Sequence, residues 1–173
     1  ADTVRFALFA GSEPWQDLDW RSERVEQHRN KVKNFYNRSL ELHGQGVERE
    51  YSNLDRYALS RLNKIIRKTT DALENFQTRK AGLNAFFELN SLINVYRQRA
   101  EELNRDVVEK LVETQVLLMA PFTPHVCEEL WNEFGHESLV STAEWPEADE
   151  EMIDEEIEHA QELVENTLDD IRE

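Results

Sequence analysis

Three cations, Arg61, Lys64 and Lys68, recur at three- and four-residue spacing, which on a helix sets them in one row. Guanidinium and ammonium groups in such a row suit contact with successive phosphates, charge against charge with hydrogen bonds to the oxygens. Arg56, Arg67, Arg79 and Lys80 stand close by in the chain. A second cluster, Arg21, Arg24, Arg29, Lys31, Lys33 and Arg38, lies beside Trp15 and Trp20. Aromatic rings among cations can stack on unpaired bases, but a tryptophan is more often a plug in a core, the role favoured for Trp20. On residue types alone, the row is also compatible with an ordinary solvated helix face.

Other chemistries find little support. His125 and Cys127 are two residues apart, hence on different helical faces, and there is no second cysteine to build a paired zinc spacing. Glu128-Glu129 and Asp154-Glu155-Glu156 read as carboxylates complementing helix N-termini rather than as an acid/base dyad. No nucleophile, base and orienting group suggest themselves, and no Gly-rich turn after a strand offers to cradle phosphates. Neither a catalytic centre nor a metal site is expected.

The charge is unevenly spread. Of the 20 Lys and Arg residues, 19 fall in positions 1–110 beside 17 Asp and Glu, whereas positions 111–173 hold one Arg and 19 acids. A phosphate backbone is attracted to the first part and repelled by the second, so any such contact belongs before residue 110. The acidic end is a solvated surface, suited to a high-salt environment, or else an interaction tail. At 173 residues and 39% hydrophobic content the chain can bury one or two cores. One cysteine excludes an internal disulfide framework. The longest apolar stretch, Val116 to Ala120, is far too short for a bilayer, and no charged-then-apolar leader is present. These features predict a soluble, cytoplasmic protein.

Helices must position the cations, and periodicity predicts them almost throughout. Asp2 to Ala10 forms a short one, broken by Gly11-Ser12-Glu13-Pro14. Ser22 caps a second, with Val25, Val32, Phe35, Tyr36 and Leu40 as its stripe and Gly44 and Gly46 at its end. Leu54, Ala58, Leu62, Ile65, Thr69, Leu73 and Phe76 mark the longest stripe in the chain. Two further helices bury Ala81, Ala85, Phe86, Leu89, Ile93 and Tyr96, then Val107, Val108, Leu111, Val112, Gln115 and Leu118. Together with a post-proline helix these make a four-helix bundle, with Leu62, Ile65, Phe76, Phe86, Leu89, Leu111, Leu118 and Trp131 in one core. From Gly135 to Asp149 the period is lost; Leu139-Val140 reads as extended and Trp145-Pro146 as a pin on the bundle. Ile153, Ile157, Ala160, Val164, Leu168 and Ile171 restore a helical stripe on an acidic background.

Between the last two bundle helices, Pro121 and Pro124 forbid continuation, and Thr123 stands ahead of Pro124 as a candidate cap worth about 1 kcal/mol. The run Leu118 to Trp131 resembles the helical domain that follows the catalytic core of class I aminoacyl-tRNA synthetases for leucine, isoleucine, valine and methionine. Phe122, Pro124, His125, Glu128, Leu130 and Trp131 carry the likeness, with Trp145-Pro146. Asp17-Leu18-Asp19-Trp20-Arg21 and Asn75 to Ala81 are similar to the leucine branch in its archaeal and eukaryotic form, and Ala1 to Arg5 to the helix after the mobile catalytic loop. No His-x-Gly-His or Lys-Met-Ser-Lys-Ser-type signature is present, and both ends read as cut from something longer.

The resemblance implies an all-α fold: a helical connector at 1–46, an anticodon-binding-type helical bundle at 47–149, and an acidic C-terminal helix at 150–173 leading to a further domain. It implies a tRNA-binding role in a leucine–tRNA ligase, with the catalytic domain of the same chain and tRNA as partners, and neither DNA nor membrane. ATP and Mg would serve the full-length enzyme and no cofactor this segment. Under the resemblance Arg61, Lys64, Lys68, Arg56, Arg79, Lys80, Arg21 and Arg24 become candidate tRNA contacts. The same domain of an isoleucyl- or valyl-tRNA synthetase, or an acidic helical protein-interaction module, remain as alternatives.

Overall fold

A computed structural model describes residues 1–17 and 22–172. Among the described residues eight α-helices follow one another: α1 (Asp2–Gly11), α2 (Ser22–Leu42), α3 (Asn53–Glu74), α4 (Thr78–Gly82), α5 (Leu89–Arg99), α6 (Arg105–Met119), α7 (Pro124–Glu133) and α8 (Glu155–Arg172). A π-helical turn, Leu83–Glu88, joins α4 to α5, and short 3-10 turns occupy Val140–Thr142 and Glu150–Met152. The all-α expectation holds: among the described residues there is no strand, only a single bridge between Val47 and Asn104. That bridge explains Gly46, whose φ is +98°; a Cβ there would stand 2.7 Å from the Leu103 carbonyl oxygen.

Helix α3 is the central element. Ser52 and Asp55 form a reciprocal capping box at its start, and the buried Asp55 carboxylate also receives Arg49 Nη1 at 2.5 Å and the Tyr96 hydroxyl. Tyr96 in turn accepts the Asn104 N–H at 3.0 Å, while the Asn104 side chain caps α6. One polar knot thus ties the starts of α3 and α6 to the end of α5. Ala58, Leu62, Ile65 and Thr69 of the expected stripe are buried, joined by Leu59, Ile66 and Ala72.

Phe76 departs from expectation. It is 75% exposed and sits at φ +56°. The helix has already ended at Glu74, and the N–H of Gln77 returns to the Ala72 carbonyl at 2.8 Å, closing the last turn. A residue in this left-handed position turns away from the stripe that its spacing continued.

Helices α1 and α2 enter the same core as the bundle, through Phe6, Val32, Phe35 and Leu42. Leu40, placed on the apolar stripe by spacing, is exposed, and Leu42 takes the buried position. The rest of the expected core, Leu62, Ile65, Phe86, Leu89, Leu111, Leu118 and Trp131, is buried in one cluster.

The proline corner forms as expected, with Pro124 as the first residue of α7, but its cap is different. Thr123 Oγ1 donates back to the Met119 carbonyl at 3.3 Å instead of serving the new helix. The cap comes from Asp2 of α1, whose carboxylate accepts the Val126 N–H at 2.8 Å and pairs with His125 Nδ1 at 2.7 Å. A full negative charge there meets the helix dipole as well as the free donors, which a neutral hydroxyl cannot do. Glu128, expected as N-terminal charge, accepts the Val140 and Ser141 N–H groups and caps the 3-10 turn; of the Leu139-Val140 pair only Leu139 is extended, and it is exposed, while Val140 is buried at the start of the turn.

The aperiodic segment lies along α3. Trp145 Nε1 donates to Thr70 Oγ1 at 2.8 Å, the Asp149 N–H to Asn63 Oδ1 at 2.7 Å, and the Asp154 N–H to Ser60 Oγ at 2.9 Å. These three bonds deliver the chain to α8, which packs on α3. Of its expected stripe, Ile153 and Ile157 are half-buried while Ala160 and Val164 are exposed; the side chains of Leu168 and Ile171, like that of Ser22, lie outside the described set.

Candidate nucleic-acid interface

The row Arg61, Lys64 and Lys68 forms on α3, but it does not face open solvent. Lys64 Nζ lies 3.0 Å from Glu158 and 3.9 Å from Glu155, both on α8. Arg61 reaches Glu88 at 3.2 Å and Glu158 at 3.7 Å, and Lys68 reaches Glu88 at 2.9 Å. Arg67 is held by Glu150 at 2.8 Å. The Lys64 side chain is only 18% exposed and that of Glu158 only 8%. Glu158 also accepts the Ser60 hydroxyl at 2.5 Å. Two cations and a hydroxyl offset the cost of desolvating one carboxylate, the condition under which a buried ion pair persists. A phosphate approaching Lys64 has to displace Glu158 first.

Other cations stay open. Arg24 on α2, Arg56 on α3, and Arg79 and Lys80 on α4 are exposed and carry no ion pair among the described residues; the same is true of Lys33. The start of α4 is fixed from a distance, since the Glu13 carboxylate accepts the backbone N–H groups of Arg79 and Lys80 at 3.0 and 3.1 Å. That takes up the anion-attracting end of the helix and leaves the two side chains outward. Helix α1 packs against both α2 and α4. Its Phe6 ring meets His28, one turn beyond Arg24, at 5.3 Å between centroids.

Trp15 is 62% exposed, while Trp20 and Arg21 lie outside the described residues. Arg29 makes a 3.5 Å pair with Glu26 on the helix surface. Lys31 sits 4.7 Å above the Phe87 ring, and Arg38 turns inward to Gln115 Oε1 at 2.5 Å. His125 is engaged by Asp2, and Cys127 is buried, its thiol pushed up to about 12 by desolvation. At that value the thiolate needed for nucleophilic attack or metal binding is not populated. Among the described residues no three His, Cys, Asp or Glu side chains converge on a metal position.

Residue types alone placed Gln115 on a buried stripe but gave it no polar role, and did not single out the asparagines of α2 and α5. The signal was present: Gln115 is the one amide on an otherwise apolar stripe, and Asn34, Asn37, Asn90 and Asn94 repeat at helical spacing.

Residues 55–173 match the family described as "Anticodon-binding domain of tRNA ligase". The chain is 41% identical over 183 residues to a leucine–tRNA ligase of Pyrococcus horikoshii, covering 100% of this chain and 18% of that protein. It is 39% identical over 180 residues to the leucine–tRNA ligase of Methanothrix thermoacetophila, with the same coverage of 100% and 18%. The chain therefore spans about a fifth of the length of these curated relatives. Its fold is similar to part of a LeuRS of Agrobacterium radiobacter solved in a ternary complex with tRNA and LeuAMS. The TM-score is 0.75 at 24% identity, over 88% of this chain and 20% of that one. The likeness seen at the proline corner, and the leucine-branch likeness seen at residues 17–21 and 75–81, thus extend to the whole sequence, and the family match covers residues 55–173: the chain belongs to the anticodon-binding domain family of tRNA ligases.

Proposed function

We propose that this chain is the tRNA-binding helical segment of a cytoplasmic leucine–tRNA ligase, and that it holds the tRNA so that the acceptor end reaches the catalytic portion. Leucine activation with ATP and Mg2+ belongs to the rest of such an enzyme, and no step of it falls to the residues here. The observation that carries the reading is the division of the cations into tied and free sets. Arg24, Arg79 and Lys80 flank α1 without carboxylate partners among the described residues, and Arg56 is similarly open, so these receive the RNA backbone. Arg61, Lys64 and Lys68 hold α8 and Glu88 to α3, and act on RNA only where those pairs open. No helix among the described residues is long and apolar enough to cross a membrane.

The test is binding of a leucine tRNA transcript to the full chain across a salt series. Combined reversal of Arg24, Arg79 and Lys80 to Glu removes three cations from the RNA backbone, and the log–log salt slope should flatten by about 0.9 for each phosphate no longer neutralised. Changing Glu155 and Glu156 to Gln should leave affinity unchanged or raise it. An unaltered slope in the triple variant refutes the assignment.

A further inference from the structure

A cleft of about 430 Å³ runs between α2 and α5, above the π-helical turn. On the α2 side it is lined by Lys31, Asn34, Asn37 and Arg38, and on the α5 side by Asn94 and Arg97. Its one carboxylate, Glu41, is engaged by Arg97 at 2.8 Å. In a chain of net charge −16, three cations here meet a single acid.

Arg38 sets the character of this cleft. The π turn widens the helix and frees backbone carbonyls. Gln115 of α6 takes up those of Ala85 and Phe86, with Nε2 at 3.1 and 3.4 Å, and the same amide donates to Asn90 Oδ1 at 2.9 Å. That commitment turns the Gln115 oxygen toward Arg38. The guanidinium therefore faces a neutral acceptor, not a carboxylate, and its Nε is buried with no hydrogen-bond partner among the described residues. Burial, then the nearby charge of Arg97, pulls the Arg38 group down from its ordinary value to about 10. A half-buried, uncompensated cation with an unused donor lacks an anion. Around it the amides of Asn34, Asn37 and Asn94 are exposed and unengaged among the described residues, and each offers a donor and an acceptor on one edge. Cation below and amide edges at the mouth suit a phosphate with its attached base, and the volume lies in the range of small-ligand sites.

We propose that this cleft takes one unstacked nucleotide of the bound tRNA, its phosphate on Arg38 and Lys31 and its base edge read by Asn34, Asn37 and Asn94. The proposal rests on the tRNA-binding reading above and adds a base-reading position to a surface otherwise described by backbone contacts.

The experiment is chemical probing of a leucine tRNA transcript, base-selective and backbone-selective, with the full chain and with Asn37→Asp and Asn94→Asp. Both positions are exposed, so each variant should keep the wild-type thermal unfolding. The wild type should protect a single-stranded base that each variant leaves reactive. Affinity should fall by about tenfold or more, while the rest of the backbone footprint persists. Arg38→Gln should remove protection of the phosphate next to that base. A footprint identical in wild type and Asp variants overturns the nucleotide site while leaving the tRNA-binding reading standing. Complete absence of a footprint overturns both. Protection by inorganic phosphate alone, without any base effect, marks the cleft as a simple anion site and also overturns the proposal.

Discussion

Asp55 ties together Arg49, Tyr96 and Ser52, and the cost of removing it can be worked out from these partners. The carboxylate is fully buried and receives Arg49, Tyr96, and both the hydroxyl and the backbone N–H of Ser52. Asp55→Ala leaves a cation, two hydroxyls and a helix-start donor without their acceptor. Breaking a buried, hydrogen-bonded ion pair by deleting one partner costs about 3–5 kcal/mol. With a urea slope of about 2 kcal/mol/M, the midpoint should fall by about 2 M. The assay is urea unfolding of the full chain followed by far-UV circular dichroism. Acid adds a second readout. Burial raises the Asp55 pKa, but the hydrogen bonds from Arg49, Tyr96 and Ser52 outweigh it and hold the group below its ordinary value. A carboxyl depressed in the folded state contributes fully above its unfolded value of about 3.9, and the contribution fades as pH falls through the folded value. Asp55→Asn does not titrate, so its stability deficit against wild type should shrink as the solution is acidified through that window. A loss below about 1 kcal/mol for Asp55→Ala, or a wild-type advantage over Asp55→Asn that is constant from neutral to strongly acidic pH, refutes the reasoning.

The helix ends offer two more tests. Phe76→Gly should leave stability unchanged or raise it by up to about 1 kcal/mol, because a left-handed backbone is relieved and an exposed ring is removed; a loss of about 3 kcal/mol in thermal or urea unfolding would instead mean that Phe76 is a core residue. Asp2→Ala should cost about 1–2 kcal/mol and speed amide exchange in the first turn of α7, whereas Thr123→Val should leave that exchange unaltered; the reverse ranking would return the cap to Thr123.

The fold was legible where a local rule decides. Apolar spacing placed α3, α5 and α6, and Pro124 placed the start of α7, because 3.6-residue periodicity and the missing proline N–H act within a few residues. Misreadings came where a distant group intervened. Thr123 had the right side chain for a cap, yet a charge from position 2 out-competes it. Phe76 kept the stripe's spacing, but the left-handed residue that closes a helix breaks the relation between spacing and face. The candidate site divides the same way. The cations of α3 could be read as a row from their intervals, but not as a neutralised one, since the acids that meet them arrive from Glu88, Glu150 and Glu158. The α2/α5 cleft depends on which two helices lie side by side and on a π turn that leaves no periodic signature.

The ion pair between Lys64 and Glu158 joins residues 94 positions apart, so at the ribosome the two partners appear at different times. At synthesis rates of about 5–20 residues per second, roughly 5–20 s elapse between the emergence of the lysine and that of its acid. During that interval α3 can be capped by Ser52 and Asp55 and packed by α5 and α6, all encoded before Glu158. Arg61 and Lys68 then already have Glu88, whereas Lys64 and Arg67 wait for Glu158 and Glu150, so this face of α3 completes its ion pairs only with the last part of the chain.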